Sequence, residues 1–373
     1  MAKLVALDLE LKPRLFDAIT ELVESRTAFC VLDQRVSTEL KKQQALQMGA
    51  THLHGPAGEQ VLIGGTPVEE DIGLVMLTSG SSGEPKAAEL SWDALLASAR
   101  ISSQRLAIES DSVWVPALPA NHIGGLAVLM RAVFGFAHLQ WTSDLATAPE
   151  EGATHIAIVQ AQVARADFSG YRHVLVGGAK APSNQAPNMI ATWGMTETGS
   201  GIVYDGHMLS EVEVAEINGE LLVRSPTLFS RYRNAERPSA SGPDGRADWF
   251  PTGDGGSVSD GRVQVFGRIG SVITTGGEKV WPEQLEQALR THPGVAEIAI
   301  TSVEDLEWGE AVVAVVVSDG PLTLDELGAS AQSQIGPWAK PKFLLKVEEI
   351  PRTSNGKIRR STLATLAQQM LNP

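Results

Sequence analysis

The chain has 373 residues, 43% of them hydrophobic and 20% charged, a globular balance that excludes collagen, coiled coil and wholesale disorder. Its formal net charge of −14 disfavours nucleic acid or an anionic membrane surface as the main partner, because both select a dense basic face. The one cysteine, Cys30, rules out an intramolecular disulfide and, amid Ala28, Phe29, Val31 and Leu32, reads as packing.

At about 150 residues per domain the length suggests two or three domains. No apolar run approaches the roughly 20 residues of a membrane span, and the first ten residues turn acidic too soon for a signal peptide. A cytoplasmic protein is expected. The first segment reads as helix, strand, helix. Leu15, Ile19, Leu22 and Val23 share a helical face over residues 14–26, residues 28–32 form a buried strand, and a helix over 38–48 ends at Gly49. His52 and His54 alternate on a strand without acidic or cysteine company, which argues against a metal site. Residues 72–77 form an apolar strand that enters a glycine-rich turn, and helix 92–105 starts from a Ser91 cap. Residues 113–118, 153–159 and 172–176 are further strands between helical stretches. This alternation predicts a layered α/β domain with a largely parallel sheet.

From about residue 207 short strands, such as 220–224 and 262–266, alternate with turn residues and suggest a small β-rich subdomain. A last block begins near Gly267. It holds helix 282–290, strands 295–302 and 311–317, helix 323–335, strand 342–347 and a closing helix from about 358. It reads as a small α+β domain, so the expected division is 1–267 and 268–373.

The strongest chemical signal is Thr78-Ser79-Gly80-Ser81-Ser82-Gly83-Glu84-Pro85-Lys86. Hydroxyls and glycines directly after a strand give a loop whose N–H groups can wrap phosphate oxygens, with Lys86 as a point cation. It is not a Walker loop, since Pro85 falls inside that spacing and Ala87 replaces the magnesium-binding hydroxyl.

This segment resembles the phosphate loop of the adenylate-forming superfamily, which includes acyl-CoA synthetases, carrier-protein adenylation domains and luciferases. Four more of its motifs follow in order. They are Thr192-Trp193-Gly194-Met195-Thr196-Glu197-Thr198, Phe250-Pro251-Thr252-Gly253-Asp254, Gly267-Arg268-Ile269-Gly270 leading into residues 275–280, and Pro351 to Arg359 around Lys357. The resemblance implies a large layered α/β N-terminal domain with a small β-rich subdomain, then a small mobile α+β C-terminal domain.

It also implies roles. Such enzymes couple a carboxylate to the α-phosphate of ATP and then pass the acyl group to a thiol, with CoA as co-substrate. Thr196 would bond the α-phosphate, and Glu197 would hold Mg²⁺. Asp254 would accept the ribose hydroxyls, and Arg268 would meet ribose or phosphate. Lys357 would bridge the attacking carboxylate and the α-phosphate and stabilise charge that grows during adenylation, and Lys86 would act on the terminal phosphates. Gly178, Ala179, Trp193 and Gly194 fall to the nucleotide, with Trp193 stacking where relatives use Tyr. Gly276 and Gly277 would line a pantetheine channel, and Gly270 stands at the hinge that swings the C-terminal domain between half-reactions.

Only 77 residues precede the phosphate loop, fewer than in most relatives, which points to surface covered by a second protomer in a homodimer. Short members include the o-succinylbenzoate–CoA ligases of the menaquinone pathway, which residues 121–131, 174–179 and 194–206 resemble. By that resemblance His122 gates or contacts the acid, against a packed or capping alternative. Arg131 or Lys180 would bind the second carboxylate, against a reading of both as surface cations. Gln160-Ala161 departs from the Pro-Thr of relatives. The rivals are another aryl or short-chain acyl-CoA synthetase, a carrier-protein adenylation domain, and a non-catalytic nucleotide-binding remnant.

Overall fold

The computed structural model describes residues 1–78, 85–163, 166–177, 186–318, 320–352 and 358–371. The chain forms two compact units. One comprises Met1–Ile217, Leu222–Pro251 and Val258–Val263; the other comprises Asn218–Leu221, Thr252–Ser257 and Gln264–Pro373.

The first unit opens with β1 (Leu4–Leu7), α1 (Pro13–Glu24), β2 (Ala28–Val31), α2 (Thr38–Gln47), β3 (His52–Gly55), β4 (Gly58–Val61), β5 (Ile72–Thr78), β6 (Lys86–Ser91) and α3 (Trp92–Arg105). It continues with β7 (Val113–Val115), α4 (Ile123–Val133), β8 (His138–Leu139), β9 (His155–Val159), β10 (His173–Gly177), β11 (Met189–Met195), β12 (Ser200–Tyr204), β13 (His207–Met208) and β14 (Glu213–Ile217). β15 (Glu220–Arg224), β16 (Arg231–Tyr232), β17 (Phe250–Ser259) and β18 (Arg262–Arg268) follow, and the division between units passes inside β15, β17 and β18.

Two sheets organise this unit. The first has the order β16-β6-β5-β2-β1-β3-β4 and is parallel from β5 to β3. The second has eleven strands, and its run β13-β12-β11-β10-β9-β7-β8 is parallel from β11 to β8. The expected α/β layering is therefore present, with antiparallel strands added at the ends. β1 was absent from the sequence reading. Its four residues are all buried, and it pairs with β2 on one side and β3 on the other, so tertiary context makes a strand of a short apolar run. Between β9 and β10 the described residues contain a 3₁₀ turn, Gln160–Gln162, in place of the expected helical stretch.

Local rules set the helix starts. Ser37 accepts from the Leu40 N–H and Ser91 from the Ala94 N–H, each satisfying a donor that has no partner within the helix. Pro13 opens α1, where a missing N–H costs nothing. Apolar residues of the first sheet, among them Leu4, Cys30, Ile72 and Val75, form one core cluster. Each fully buried side chain of the Leu or Ile type stabilises by roughly 1.5–3 kcal/mol. Cys30 is wholly buried, and burial pushes its thiol up to about 12, which fits packing and not nucleophilic chemistry.

The second unit adds β19 (Ile273–Thr275), β20 (Glu278–Val280), α5 (Pro282–Leu289), β21 (Glu297–Asp305), β22 (Gly309–Val317), α6 (Leu324–Gln334), β23 (Phe343–Lys346) and α7 (Arg360–Leu371). Its sheet runs β20-β19-β22-β21, with β23 parallel to β22. Val312, Ala314 and Val316 join Leu285, Leu289 and Leu327 in one cluster, while Val313 and Val315 join Leu363 and Ala367 in another. Both faces of β22 are thus covered, which is why its sequence is continuously apolar.

Candidate active site

Chain geometry brings together several of the residues read from the sequence. Thr78 ends β5 and Lys86 opens β6, and the antiparallel register pairs the two, so the ends of the hydroxyl-rich segment lie side by side. Ser79, Gly80, Ser81, Ser82 and Gly83 lie outside the described residues. On the other side of β6 runs β16, with Tyr232 opposite Ala88. This places the Lys86 ammonium 5.1 Å from the centre of the Tyr232 ring, a cation–π contact.

Tyr232 also reaches Glu197. Its hydroxyl donates to Glu197 Oε1 at 2.9 Å. Glu197 sits on a 3₁₀ turn, Thr196–Thr198, between β11 and β12, and is only 8% exposed. The turn is fixed from within: Thr198 Oγ1 accepts from the Met195 N–H at 2.9 Å and donates to the Ser200 carbonyl at 2.8 Å. The Phe229 N–H donates to the Glu197 carbonyl at 2.8 Å. Gly194 lies at a register shift between β11 and β12, where an added Cβ would stand 2.2 Å from the Ser200 carbonyl oxygen. Only glycine allows that approach. Trp193 and Thr196 are half-buried on the same stretch. One turn thus presents Thr196 and a held carboxylate, with Tyr232 linking the latter to Lys86.

Among the described residues no group of three or more His, Cys, Asp or Glu side chains could cage a metal ion. A lone hard carboxylate such as Glu197 suits a cation that brings its own water and phosphate oxygens, as Mg²⁺ does.

In the second unit, Asp254 lies inside β17 and not on a turn, the position its Gly253-Asp254-Gly255 setting suggests in isolation. It is 7% exposed and paired to Arg268, Nε to Oδ1 at 3.0 Å. Arg268 Nη1 also donates to the Thr252 carbonyl at 2.8 Å. Thr252 Oγ1 donates to the Leu221 carbonyl at 2.6 Å and accepts from the Asp254 N–H at 3.1 Å. Asp254 and Arg268, assigned separately from the sequence, are thus one ion pair on a braced strand.

The glycines of the second unit divide. Gly276 and Gly277 form the two-residue turn between β19 and β20, at φ +58° and +84°. Such a hairpin turn needs positive φ at both positions, so turn geometry alone accounts for both. Gly270 lies in a 3₁₀ turn, Ile269–Ser271, where an added Cβ meets nothing within 4 Å. Lys357, Gly178, Ala179 and Lys180 lie outside the described residues. Arg360, three positions past Lys357, is bolted to α5: its guanidinium donates to Glu286 Oε1 at 2.9 Å and to Glu283 Oε1 at 3.0 Å. Burial raises the Glu283 carboxyl.

His122 stands at the N-cap of α4 without capping it, and its Nε2 is 3.2 Å from Arg35 Nη2. Arg131, near the other end of α4, is 2% exposed, which sets aside its reading as a surface cation. Its Nε donates to Ser102 Oγ at 3.0 Å, its guanidinium lies 4.8 Å from the Trp114 ring centre, and Tyr204 bonds to it. None of the ion pairs among the described residues involves it, and Ser102, Trp114 and Tyr204 are neutral partners. His155 stacks on Trp114 at 5.0 Å, and burial pushes its pKa down to about 3, leaving a neutral packing histidine.

Sequence reasoning missed Tyr232, Arg35, Asp33 and Arg360. It also missed Glu89, 2% exposed, which binds Arg231 and Arg233 at 2.8 Å each and locks β16 to β6. The one sequence trace of that lock is the Arg231-Tyr232-Arg233 alternation, which puts two cations on one strand face.

Comparison with known proteins adds to this geometry. Residues 2–214 match the AMP-binding enzyme family, and residues 284–357 match the AMP-binding enzyme C-terminal domain. A Mycobacterium tuberculosis protein described as a probable 2-succinylbenzoate–CoA ligase is 33% identical over 345 residues, covering 83% of this chain and 89% of that protein. Among solved structures, o-succinylbenzoate CoA synthetase (MenE) from Bacillus subtilis, in complex with the acyl-adenylate intermediate OSB-AMP, superposes with a TM-score of 0.83 at 24% identity, covering 97% of this chain and 88% of that one. The same enzyme in complex with ATP and magnesium ion gives 0.82 at 24%, covering 97% and 89%. These two likenesses establish the fold.

Proposed function

The chain belongs to the AMP-binding enzyme family, and from that premise we propose that it is an ATP-dependent acid–thiol ligase that activates o-succinylbenzoate as an acyl-adenylate and transfers it to CoA. The observation that carries this reading is the 33% identity, over 83% of the chain, to a relative described as a probable 2-succinylbenzoate–CoA ligase.

Carboxylates are poor acyl donors because oxide cannot leave. Joining the acid to the α-phosphate of ATP supplies a good leaving group, AMP, and releases pyrophosphate. In this reading Glu197 holds Mg²⁺, which neutralises charge on the phosphates when bound. Thr196 donates to the α-phosphate, and Lys86 meets the terminal phosphates at the end of the hydroxyl-rich segment. Trp193 and Gly194, with Gly178 and Ala179, receive the nucleotide. Asp254 accepts the ribose hydroxyls while Arg268 holds it. Lys357 stabilises the negative charge that grows between the attacking carboxylate and the α-phosphate. Gly276 and Gly277 belong to the segment that serves the thiol step, and Gly270 to the hinge between the two steps.

The acid carries a second carboxylate. Arg131 suits it, because a buried guanidinium among Ser102, Trp114 and Tyr204 keeps a charge that an anion would balance. The place of action we infer is the cytoplasm, and no described helix is long and apolar enough to cross a membrane.

The test is thioester formation with CoA, ATP and Mg²⁺ across a panel of aryl and short-chain acids. The expected result is the highest kcat/KM with o-succinylbenzoate. No turnover of that acid, with turnover of another, would transfer the assignment to a different acyl-CoA synthetase.

A further inference from the structure

The loop after β2 carries a device that the reaction's motifs do not include. Asp33 is 8% exposed and grips Arg35 in a fork, Oδ1 to Nε at 2.7 Å and Oδ2 to Nη2 at 2.8 Å. Asp33 Oδ1 also accepts the Arg35 backbone N–H at 3.0 Å, so carboxylate and guanidinium are locked into one local ring. Burial pushes the Asp33 carboxyl up, but its hydrogen bonds to Arg35 more than offset this and hold it below its ordinary value. The loop is pinned from behind as well. Asp8 Oδ1 accepts from Gln34 at 3.0 Å and from Lys41 at 2.8 Å, and Lys41 also donates to Gln34 at 2.7 Å.

Position gives this clamp meaning. β2 and β5 are parallel neighbours, so the Asp33 loop leaves the same sheet edge as Thr78 and the hydroxyl-rich segment. His122 follows the carboxyl end of β7 in the second sheet. Ligands of α/β sheets gather at such carboxyl ends. Arg35 and His122 therefore join the two sheets at the edges where the site is expected.

Proton counting fixes the imidazole. A guanidinium has donors only, so the 3.2 Å contact from Arg35 Nη2 requires His122 Nε2 to accept. The ring is then neutral and carries its proton on Nδ1. At the N-cap of α4 the side chain makes no capping bond, so helix capping does not explain its orientation.

We propose that Arg35, clamped by Asp33, is a positioning residue that holds His122 neutral, protonated at Nδ1 and fixed in orientation, and thereby sets affinity for the acid. This rests on the proposed ligase function and on the role that the family resemblance implies for His122, gating or contacting the acid. An ordinary exposed ion pair between Asp33 and Arg35 would do neither, since such pairs contribute little by themselves.

The experiment uses the full chain labelled with ¹⁵N-histidine, in the wild type and in Arg35→Ala, Arg35→Lys and Asp33→Ala. Long-range ¹⁵N–¹H NMR spectra of His122, assigned by its loss in His122→Gln, report the tautomer. Wild type shows the Nδ1–H form, Arg35→Ala and Asp33→Ala shift towards Nε2–H, and Arg35→Lys keeps part of the signal. In steady state Arg35→Ala raises KM for the acid about tenfold, the scale of one lost hydrogen bond to a charged donor, with KM for ATP unchanged. An unaltered tautomer in a folded Arg35→Ala protein overturns the proposal, and so does an equal rise in both KM values. If the wild type turns over no acid, the functional reading fails, and the tautomer signal still decides whether Arg35 sets the state of His122.

Discussion

Glu197 and Asp254 are two nearly equally buried carboxylates, 8% and 7% exposed, yet they are held in opposite ways. Glu197 accepts from the neutral hydroxyl of Tyr232, whereas Asp254 is paired with the guanidinium of Arg268. A carboxylate steadied by a phenol keeps its full negative charge. One paired with a cation has that charge balanced but retains lone pairs. The first arrangement suits a metal cation, which demands charge; the second suits neutral hydroxyls, which demand acceptors. The partner, more than the burial, separates the two proposed roles.

Four substitutions can break or sharpen that contrast. Glu197→Gln keeps the shape and removes the charge, so adenylate formation should fall by about 10²–10³, the scale of losing a group that stabilises developing charge. Raising Mg²⁺ should restore part of the rate; a rate close to wild type at low Mg²⁺ would remove the metal role. Glu89→Ala is the control, because Glu89 is a buried carboxylate held by two guanidiniums, Arg231 and Arg233. It should cost about 3 kcal/mol of stability by leaving Arg233 buried and unpaired, read by denaturant unfolding. If Glu89→Ala altered the Mg²⁺ dependence without loss of stability, partner identity would no longer sort these carboxylates.

Asp254→Asn should raise KM for ATP by roughly tenfold, as expected when a hydrogen bond to a charged group is weakened, with little change in Mg²⁺ dependence. A changed Mg²⁺ requirement there would blur the two roles. Tyr232→Phe should have the smallest effect, a rise of about fivefold in the Mg²⁺ concentration for half-maximal rate, as one neutral hydrogen bond is lost. No change in that concentration would mean that the phenol does not steady Glu197.

Much of the fold was legible because its signals are local. Apolar runs such as residues 72–77 and caps such as Ser91 carry their meaning within a few positions, and the structure has β5 and α3 there. β1 was not legible, since four apolar residues near a terminus become a strand only between β2 and β3. The motif residues Glu197 and Asp254 could be named from sequence, but what holds them could not. Tyr232 reaches Glu197 because β16 pairs with β6, and Arg35 reaches His122 across 87 positions. Such contacts depend on sheet pairing, which no local pattern specifies. Gly276 and Gly277 show the converse: a glycine pair read as a channel also satisfies a hairpin turn.

The central claim is that this chain makes an acyl-adenylate. Pyrophosphate exchange into ATP tests it most directly, with and without o-succinylbenzoate, in the wild type and in Lys357→Ala. Exchange in the wild type should require both the acid and Mg²⁺. Lys357→Ala should reduce it by about 10² or more, while thioester formation from preformed acyl-adenylate and CoA continues. Exchange that ignores the acid, or that survives intact in Lys357→Ala, would contradict it.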